Sequence, residues 1–472
     1  MADLTPALID GEDVSSGDPS EVRSPYDGAL VGSVPTCTTG DIDRAVAVAL
    51  ARHRAGALHQ YERAEILDRA AVLLSERTEE FAQSISAESA KPISTARIEA
   101  ARGVDTLRFS AAAARTLVGE VVALDASSAG AGRTGFTLKM PIGVVAAVSP
   151  FNFPLNLVLH KIAPAVAAGC PVVLKPASST PLTALRIARL FEEAGLPPGW
   201  LNVVTCPGRT AQHLVDHPDV SMITFTGSPP VGWGIRASAA TKKVSLELGN
   251  NGPVVVAPDG DLELAAQKIV AGGYGFAGQT CISVQRVYAH RSVHDDLLAL
   301  LATGVEDLVV GDPADPATNV SALISSAETD RVAQWVEEAA SEGAQIVAGG
   351  GRAEHGVLRP VLLEGVTPDM RVCRDEVFGP MVGVAAYDTF DEAVELCNDS
   401  RYGLQAGVFT ARTDTALEAA RRLEYGGVLI NDAPTWRADQ QPYGGVKDSG
   451  NTREGPAFTV EEMTERRMVV LG

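Results

Sequence analysis

The sequence predicts an α/β fold: a doubly wound parallel sheet followed by a second α/β domain. From residue 143 onward, short β-branched runs alternate with helical stretches of about ten to fifteen residues, as in βαβ crossovers between parallel strands. A second pattern of this kind runs from near residue 253 to about residue 445. Before both, residues 40 to 118 are rich in alanine and space their apolar residues by three and four, which predicts amphipathic helices.

The predicted strands of the first sheet are short and apolar. They are Val144–Ser149, Val172–Lys175, Leu201–Thr205, Met222–Thr226 and Val244–Leu248. Between the helices and this sheet, the small residues of segment 121–140 predict a hairpin that leaves the body of the domain. The tail Glu465–Leu471 predicts a last exposed strand. Because an uncovered strand edge can pair with other chains and cause aggregation, we expect the hairpin and the tail strand to pair with another subunit of a homodimer or homotetramer.

Composition excludes several classes of protein. The 472 residues are 46% apolar, 21% charged and carry a net charge of -20, which argues against nucleic-acid binding. The N-terminal Met-Ala-Asp-Leu-Thr-Pro lacks a basic region followed by an apolar one, and no run of about eighteen apolar residues occurs. We therefore expect a soluble, cytoplasmic protein that contacts no membrane.

Six cysteines lie far apart, with no Cys-x-x-Cys pair and no histidines spaced for zinc, so we expect neither a disulfide framework nor a metal site. For five of them the simplest interpretation is a small hydrophobic side chain buried in the core. Cys281 differs, because Gly-Gln-Thr-Cys-Ile-Ser-Val-Gln-Arg places it between a glycine-bearing turn and a predicted strand. A nucleophilic thiol needs a lowered pKa or a nearby base, and donors for the oxyanion that forms on its target.

Three other stretches offer polar partners at strand ends: Ser149–Leu157, Leu246–Gly249 and Asp375–Pro380. Asn152 lies between two aromatic residues, where an amide needs a hydrogen-bond partner, although a turn-forming asparagine is the simpler alternative. Glu247 ends a strand that should be buried, and its simpler alternative is an ion pair with a lysine such as Lys242 or Lys243. Taken singly, neither residue indicates a function.

Their combination and order are more specific. Phe-Asn-Phe-Pro, Leu-Lys-Pro-Ala-Ser, Phe-Thr-Gly-Ser, Leu-Glu-Leu-Gly, Gly-Gln-Thr-Cys, Glu-Val-Phe-Gly-Pro and Pro-Tyr-Gly-Gly-Val-Lys-Asp-Ser-Gly occur in this order. The chain thereby resembles the aldehyde dehydrogenase superfamily, of the NAD(P)-dependent hydrolytic type, from about Ser24 to its end. The resemblance implies an NAD(P)-binding domain (1–120 and 141–249), a catalytic domain (250–445) and an oligomerisation hairpin and strand (121–140 and 446–472).

The resemblance also implies roles for the catalytic residues. Cys281 attacks the aldehyde carbon to give a thiohemiacetal, whose oxyanion lies between the Asn152 amide and the Cys281 backbone N–H. Hydride transfer to the nicotinamide then leaves a thioester, and Glu247 activates the water that hydrolyses it. Lys161 and Glu454 are expected to relay the proton.

For the cofactor, the resemblance assigns Lys175 to the adenosine ribose, Glu376 to the nicotinamide ribose and Phe378 to the side of the nicotinamide ring. The segment Gly227–Gly232 is expected to open a helix whose N-terminal amides face the pyrophosphate, although no Gly-x-Gly-x-x-Gly is present. The other expected cofactor residues are Ser149, Pro150, Phe151, Gly208, Thr226, Gly227, Ser228, Gly232 and Leu248. Ser178 stands where NAD-preferring members commonly carry glutamate, so we expect NADP or use of both cofactors.

The expected substrate residues are Arg102, His160 and Arg437, at positions that resemble those lining the substrate tunnel of the family. Each arginine alone is explained as well by a solvated helix face or a surface ion pair. Two arginines and a histidine in one pocket, with only water as a partner, favour a short aldehyde with an anionic tail. The alternatives are a CoA-acylating semialdehyde dehydrogenase, which typically lacks the glutamate found here at Glu247, and a non-catalytic binding protein of the same fold.

Overall fold

The computed structural model describes residues 4–472. Residues 1–3 lie outside the described part, and with them the Met-Ala-Asp of the N-terminal stretch on which the expected localisation partly rests.

The first half of the chain passes through four short strands and four helices before strands and helices alternate. In chain order the elements are β1 (Ala7–Ile9), β2 (Glu12–Val14), β3 (Pro19–Arg23), β4 (Leu30–Pro35), α1 (Thr39–Ala55), α2 (Gln60–Glu76), α3 (Thr78–Ser89), α4 (Ile93–Thr116), β5 (Val121–Val122), β6 (Thr134–Pro141), β7 (Val144–Val148), α5 (Asn156–Ala168), β8 (Val172–Lys175), α6 (Leu182–Glu193), β9 (Leu201–Val203), α7 (Gly208–Asp216), β10 (Val220–Thr226), α8 (Pro229–Ser238) and β11 (Lys243–Glu247).

The second half continues the alternation and ends on a strand. Its elements are β12 (Gly252–Val256), α9 (Leu262–Tyr274), β13 (Val284–His290), α10 (His294–Glu306), α11 (Ser326–Ser341), β14 (Gln345–Gly349), β15 (Val361–Glu364), α12 (Arg371–Arg374), β16 (Met381–Tyr387), α13 (Phe390–Asn398), β17 (Gln405–Phe409), α14 (Thr413–Arg422), β18 (Gly427–Ile430), α15 (Pro456–Glu462) and β19 (Thr464–Leu471).

The first sheet has the strand order β11-β10-β7-β8-β9-β1-β2, and strands β7 to β11 are parallel. Alternate residues of β7 face two different cores: Val145 and Ala147 pack with helices α2 to α6, whereas Val144 and Ala146 pack with α1, α7 and α8. The sheet is therefore covered by helices on both faces, which confirms the predicted doubly wound α/β class. Because β8 and β10 lie on opposite sides of β7, a crevice opens at the carboxyl ends of these strands.

The second sheet has the order β14-β15-β16-β13-β12-β17-β18, and only β14, within residues 4–472, runs antiparallel to its neighbour. Residues 248–251 join β11 of the first sheet directly to β12 of the second. The carboxyl end of β11, where Glu247 lies, therefore meets the second sheet close to the segment that leads into β13, where Cys281 lies.

The third sheet forms within this chain and is small. Strand β19 pairs along its whole length with β6 of the same chain, from Thr464 opposite Pro141 to Leu471 opposite Thr134, and β5 pairs with the other edge of β6. The tail and the hairpin thus pair with each other, which the sequence analysis did not predict. In the part of the chain that the structure describes, the outer edge of β19 has no strand beside it, and the expected oligomer remains a prediction.

The predicted boundary at residue 446 also differs from the packing. Val460 in helix α15 and Met463 after it belong to the same core as helices α4 and α5, because both side chains are apolar and buried there. Only β19 of this C-terminal segment joins the small sheet.

No helix of residues 4–472 is both long and apolar enough to cross a lipid bilayer. Over the same range, no cluster of three or more histidine, cysteine or acidic side chains is arranged to hold a metal ion. All six cysteines are free thiols, and Cys281 alone among them is partly exposed.

Candidate active site

Cys281 lies between the two large sheets, after an irregular turn formed by Gly275–Gly278. Phe276 and Ala277 adopt positive φ angles of 50° and 53° in this turn, a conformation that is costly for residues other than glycine. The turn places the backbone carbonyl of Gln279 opposite Asn152, whose Nδ2 donates to it at 2.9 Å. The segment that carries the thiol and the loop that carries the amide are thereby held together.

The Asn152 side chain is 3% exposed. An amide nitrogen has two N–H donors, so the bond to Gln279 leaves one donor for another acceptor. A turn-forming role alone does not explain an amide that is buried and aimed across the junction between the two sheets. The geometry fits an oxyanion donor, which remains a proposal.

A buried ion pair that the sequence analysis missed supports the Asn152 loop. Lys91 pairs with Glu99 and also donates to the backbone carbonyl of Asn152 at 2.6 Å. The other carboxylate oxygen of Glu99 accepts from the backbone N–H groups of Leu155 and Asn156 at 2.9 and 3.1 Å. Charged residues in an amphipathic pattern predict a solvated face, so no local signal indicated this pair.

Glu247 ends β11 and is 4% exposed, and neither of its carboxylate oxygens has a hydrogen-bond partner among residues 4–472. The alternative ion pairs are absent, because Lys242 donates to the carbonyl of Val215 at 2.6 Å and Lys243 to that of Glu462. Burial, and then the nearby charge of Glu454, raise the pKa of Glu247 well above its usual value.

The space beside Glu247 depends on a glycine. A Cβ atom at Gly444 would lie 2.8 Å from Oε1 of Glu247 and 2.0 Å from the carbonyl oxygen of Thr452. A buried carboxyl group without a partner and with a raised pKa is a strong candidate for a general base.

Lys161 and Glu454 form a buried chain behind this carboxyl group. Lys161 donates to the hydroxyl oxygens of Thr226 at 2.7 Å and Thr224 at 3.2 Å, and its ammonium lies 3.7 Å from Glu454. Burial lowers the pKa of Lys161. Burial alone would raise that of Glu454, but the charges of His160, Arg437 and Lys161 lower it to about 2.

The predicted substrate residues are brought together, with partners that the sequence analysis did not foresee. Arg437 pairs with Glu454 at 3.0 Å, and both side chains are 5% exposed. Nε2 of His160 donates to the Asp439 carboxylate at 3.0 Å, and its Nδ1 accepts from Arg437 at 3.4 Å. Burial, then the charge of Arg437, lower the pKa of His160.

Arg102 is the exposed member of this group, at 27% for its side chain, and it donates to both carboxylate oxygens of Asp439. The expectation that the arginines would have only water as a partner is therefore wrong: Arg102 pairs with Asp439, 337 residues later in the chain, and Arg437 pairs with Glu454, 17 residues later. Burial would raise the pKa of Asp439, but the bond to His160 and the charge of Arg102 keep it below its usual value. Asp439 thus stays ionised and holds Arg102 in place.

The crevice at the carboxyl ends of β7, β8 and β10 forms a cleft of about 590 Å³. Cys281 and Asn152 both line it. The predicted cofactor residues that line it are Ser149, Pro150, Phe151, Lys175, Ser178, Gly208, Thr226, Gly227, Ser228, Leu248, Glu376 and Phe378. Gly232 does not line it and instead packs against Leu248, where a Cβ would lie 2.4 Å from a leucine methyl group.

Helix α8, whose N-terminal amides were expected to face the pyrophosphate, differs from that expectation in one respect. Its first two positions are Pro229 and Pro230, which have no N–H group, so fewer amides can face a pyrophosphate than at an ordinary helix N-terminus. Ser228, just before the helix, is exposed to the cleft and offers a hydroxyl and a backbone N–H.

Two residues at this cleft fit the phosphorylated ribose of a dinucleotide. Burial lowers the pKa of Lys175, and the titratable group beside it is the Cys206 thiol, which burial keeps neutral by raising its pKa to about 11. Ser178 donates to the carbonyl of Cys206 at 3.3 Å. An ammonium without a carboxylate partner, beside a neutral hydroxyl, suits an anionic ligand.

Glu376 also lines the cleft and accepts from the backbone N–H of Asn250 at 2.9 Å. A Cβ at Gly249 would lie 2.2 Å from its carboxylate, so the glycine makes room for it. Burial raises the pKa of Glu376 to about 7. The sequence analysis missed Glu328 and Arg331, which also line the cleft and pair with each other.

A sequence model described as "Aldehyde dehydrogenase family" matches residues 13–469. A 3-sulfolactaldehyde dehydrogenase from Priestia aryabhattai is 46% identical over 464 residues, which are 98% of this chain and 97% of the relative.

Two solved structures are among the most similar. Aldehyde dehydrogenase 21 from Physcomitrella patens, in complex with the reaction product succinate, matches with a TM-score of 0.97 and 37% identity over 100% of this chain and 98% of the other. The NADP-dependent glyceraldehyde-3-phosphate dehydrogenase from Bacillus halodurans C-125, complexed with NADP, matches with a TM-score of 0.96 and 36% identity over 99% of each chain.

Proposed function

The chain belongs to the aldehyde dehydrogenase family, and we propose that it oxidises a short aldehyde with an anionic tail to the carboxylic acid, with 3-sulfolactaldehyde as the first candidate substrate. In this reaction the aldehyde, water and the oxidised cofactor give the carboxylate, the reduced cofactor and two protons. The cofactor is NAD or NADP, and when bound it accepts the hydride.

Cys281 is the proposed nucleophile. Its sulfur bonds to the aldehyde carbon, the π electrons of the carbonyl group move to the oxygen, and the free N–H of Asn152 with the Cys281 backbone N–H stabilises the resulting oxyanion. The loop of Asn152 is fixed by Gln279 and by Lys91, so this donor needs no reorganisation during the reaction. Removal of one such donor typically slows a reaction by about 100-fold to 1000-fold.

Glu247 is the proposed general base for hydrolysis of the thioester. The single observation that carries the hydrolytic mechanism is its buried carboxyl group, whose two oxygens bond to no residue of the range 4–472 and are available to a water molecule. Glu247 takes a proton from that water molecule. The water oxygen bonds to the acyl carbon, and the C–S bond to Cys281 breaks. Lys161 and Glu454 lie behind it as the proposed route for the proton.

A CoA-acylating reaction is less well supported. It needs no water and no general base, and a buried, unpaired carboxylate at this position would then cost free energy for no purpose. A non-catalytic role leaves the same carboxyl group unexplained.

The anionic tail is assigned to Arg102. A guanidinium group has five N–H donors in a planar fork, and Asp439 accepts from only Nε and Nη2, which leaves the Nη1 edge for a second anion. The similarity to an enzyme named for a sulfonated aldehyde, and to structures named for succinate and glyceraldehyde-3-phosphate, supports a carboxylate, phosphate or sulfonate as this anion.

For the cofactor we propose NADP, or use of both forms. Lys175 and Ser178 offer an ammonium and a hydroxyl group where a 2′-phosphate needs donors, and no carboxylate at position 178 repels it. The structural relative from Bacillus halodurans is named as NADP-dependent.

The test is a kinetic panel of short aldehydes that differ only in the tail: sulfonated, phosphorylated, carboxylated and neutral, each with NAD and with NADP. We expect the sulfonated compound to give the highest kcat/KM and the neutral isostere the lowest, with acid as the product rather than an acyl-CoA. If the protein oxidises the neutral aldehyde best, the proposed substrate class is wrong. If it forms an acyl-CoA in the presence of CoA, the proposed hydrolytic mechanism is wrong.

A further inference from the structure

The hydroxyl oxygen of Tyr443 lies 3.0 Å from the sulfur of Cys281. Tyr443 is 3% exposed and belongs to the segment Pro-Tyr-Gly-Gly, which the sequence analysis used only as part of a motif. No local pattern indicated that this tyrosine would meet the cysteine, which lies 162 residues earlier in the chain. The hydroxyl group has no role in the mechanism above.

Two contacts fix the position of the tyrosine ring. Its backbone N–H donates to the carbonyl of Glu454 at 2.8 Å, in a short antiparallel bridge. The guanidinium carbon of Arg437 lies 3.8 Å from the ring centroid, and Arg437 is itself held by the Glu454 carboxylate. The ring is therefore clamped between two elements, with its hydroxyl group directed at the sulfur. A cation over the ring face also favours a polarised O–H group.

The environment of Cys281 makes this contact important. Burial raises the pKa of the thiol, the hydrogen bond with Tyr443 lowers it, and the carboxyl groups of Glu376 and Glu247 raise it. Arg437 is the cation whose charge lowers it, but Arg437 is already paired with Glu454. A thiol in such surroundings must become a thiolate to attack a carbonyl group, and a hydrogen-bond donor at the sulfur stabilises that thiolate.

We propose that Tyr443 is a catalytic residue whose hydroxyl group donates a hydrogen bond to the Cys281 sulfur and stabilises it as the attacking thiolate. The thiol proton leaves to water in the cleft, and Tyr443 keeps its own proton, so no bond to the tyrosine forms or breaks. When the sulfur bonds to the aldehyde carbon its charge moves to the oxygen, which Asn152 receives. This inference rests on the proposed role of Cys281 as the nucleophile.

The test is the pH dependence of alkylation of Cys281 by iodoacetamide, without aldehyde, in wild type and Tyr443→Phe. Phenylalanine keeps the ring and its contact with Arg437 but lacks the hydroxyl group. We expect the apparent thiol pKa to rise by about one unit, so that alkylation near neutral pH is about tenfold slower. The two rates should converge at high pH, where the thiol is ionised in both proteins. Mass spectrometry identifies the modified cysteine.

The matched control is Tyr387→Phe, which removes the same atom from a buried tyrosine that donates to the carbonyl of Val256 in the second sheet. Its alkylation profile should match that of wild type. A Tyr443→Phe profile that matches wild type, or that is lowered equally at every pH, would overturn the proposal. The second of these results is what a purely structural role gives.

A second variant covers the case in which Tyr443→Phe unfolds, which alkylation of all six cysteines would reveal. Replacement of Tyr443 by 3-fluorotyrosine keeps the shape and makes the hydroxyl group a stronger donor. We expect the apparent thiol pKa to fall and alkylation near neutral pH to become faster, and an unchanged or slower rate would refute the proposal. Alkylation needs no aldehyde, so failure of the proposed substrate or reaction is distinguished from failure of this inference.

Discussion

Arg102 donates hydrogen bonds of 2.8 and 3.2 Å to the two carboxylate oxygens of Asp439, across 337 residues of sequence. The pair joins helix α4 to the loop that follows β18, and Asp439 also accepts from the side-chain amide of Asn156 at 2.9 Å. The arginine is therefore a positioned group with one free edge, rather than a mobile surface side chain.

Arg102→Met should lower kcat/KM for an anionic aldehyde by about 10-fold to 100-fold, the usual value of a hydrogen bond to a charged group, and should change the rate for the neutral isostere much less. The measurement is kcat/KM for the two aldehydes in each protein. Arg108→Met is the matched control, because Arg108 lies on the same helix with a side chain that is 61% exposed. Equal losses for the two aldehydes would exclude Arg102 as the anion site.

Cys281→Ser should abolish aldehyde oxidation while leaving the fold and cofactor binding in place, because a serine hydroxyl group is not ionised at neutral pH and the change in volume is small. Activity, circular dichroism and cofactor titration measure the three properties. Cys373→Ser, which changes a buried cysteine in the hydrophobic core beside the second sheet, should retain activity. Substantial oxidation by Cys281→Ser would remove the thiol from its proposed role.

Glu247→Gln should separate the two halves of the reaction. A burst of about one reduced cofactor per active site should persist, because thioester formation needs no water, while steady turnover collapses. In the wild type, a carboxyl group with a raised pKa is protonated at low pH and cannot act as a base, so steady turnover should fall as the pH falls through that pKa. Rapid-mixing kinetics at several pH values measure both phases. Loss of the burst together with turnover would mean that Glu247 activates the thiol.

Cofactor affinity should rise with pH through about 7, because burial raises the pKa of Glu376 to about 7 and only its ionised form accepts hydrogen bonds at both oxygens from ribose hydroxyls. Fluorescence titration of the dissociation constant from pH 5.5 to 8.5 should show this change in wild type and none in Glu376→Gln. Glu328→Gln, which alters another carboxylate of the cleft, should keep the pH dependence. A flat wild-type profile would contradict the assignment of Glu376.

The Glu376 carboxyl group affects folding stability in the opposite direction: stability falls with pH where cofactor affinity rises. The folded state holds a proton on Glu376 between the unfolded value of 4.5 and about 7, and the unfolded state does not, so the contribution of this carboxyl group to folding stability decreases as the pH rises through that window.

Ser178→Glu should shift the preference from NADP toward NAD, because a carboxylate beside a 2′-phosphate is repelled by about 1–3 kcal/mol in a partly screened site. The ratio of kcat/KM for the two cofactors measures the shift. Ser178→Ala removes the bond to the carbonyl of Cys206 without adding charge, so it shows how much of the change is due to the lost hydroxyl group. Unchanged NADP efficiency in Ser178→Glu would mean that the phosphate is held elsewhere.

Several features of the fold follow from local sequence alone. The alternation of apolar runs and helical stretches predicted the parallel sheets, and Val172–Lys175 has the predicted bounds. The other strands of the first sheet shift by one or two residues, as β10 does by beginning at Val220 rather than Met222. Hydrophobic period and length are local properties, which is why they are readable without a structure.

The sequence by itself determined the α/β class, the family and the motif residues Cys281, Asn152 and Glu247, because each of these depends on residue types at short spacings. Only the tertiary structure decided which groups surround them. Tyr443 at the Cys281 sulfur, Lys91 beneath the Asn152 loop and Asp439 on Arg102 meet their partners across 162, 61 and 337 residues. A buried polar group must find a partner wherever the folded chain offers one, and no spacing in the sequence specifies that partner.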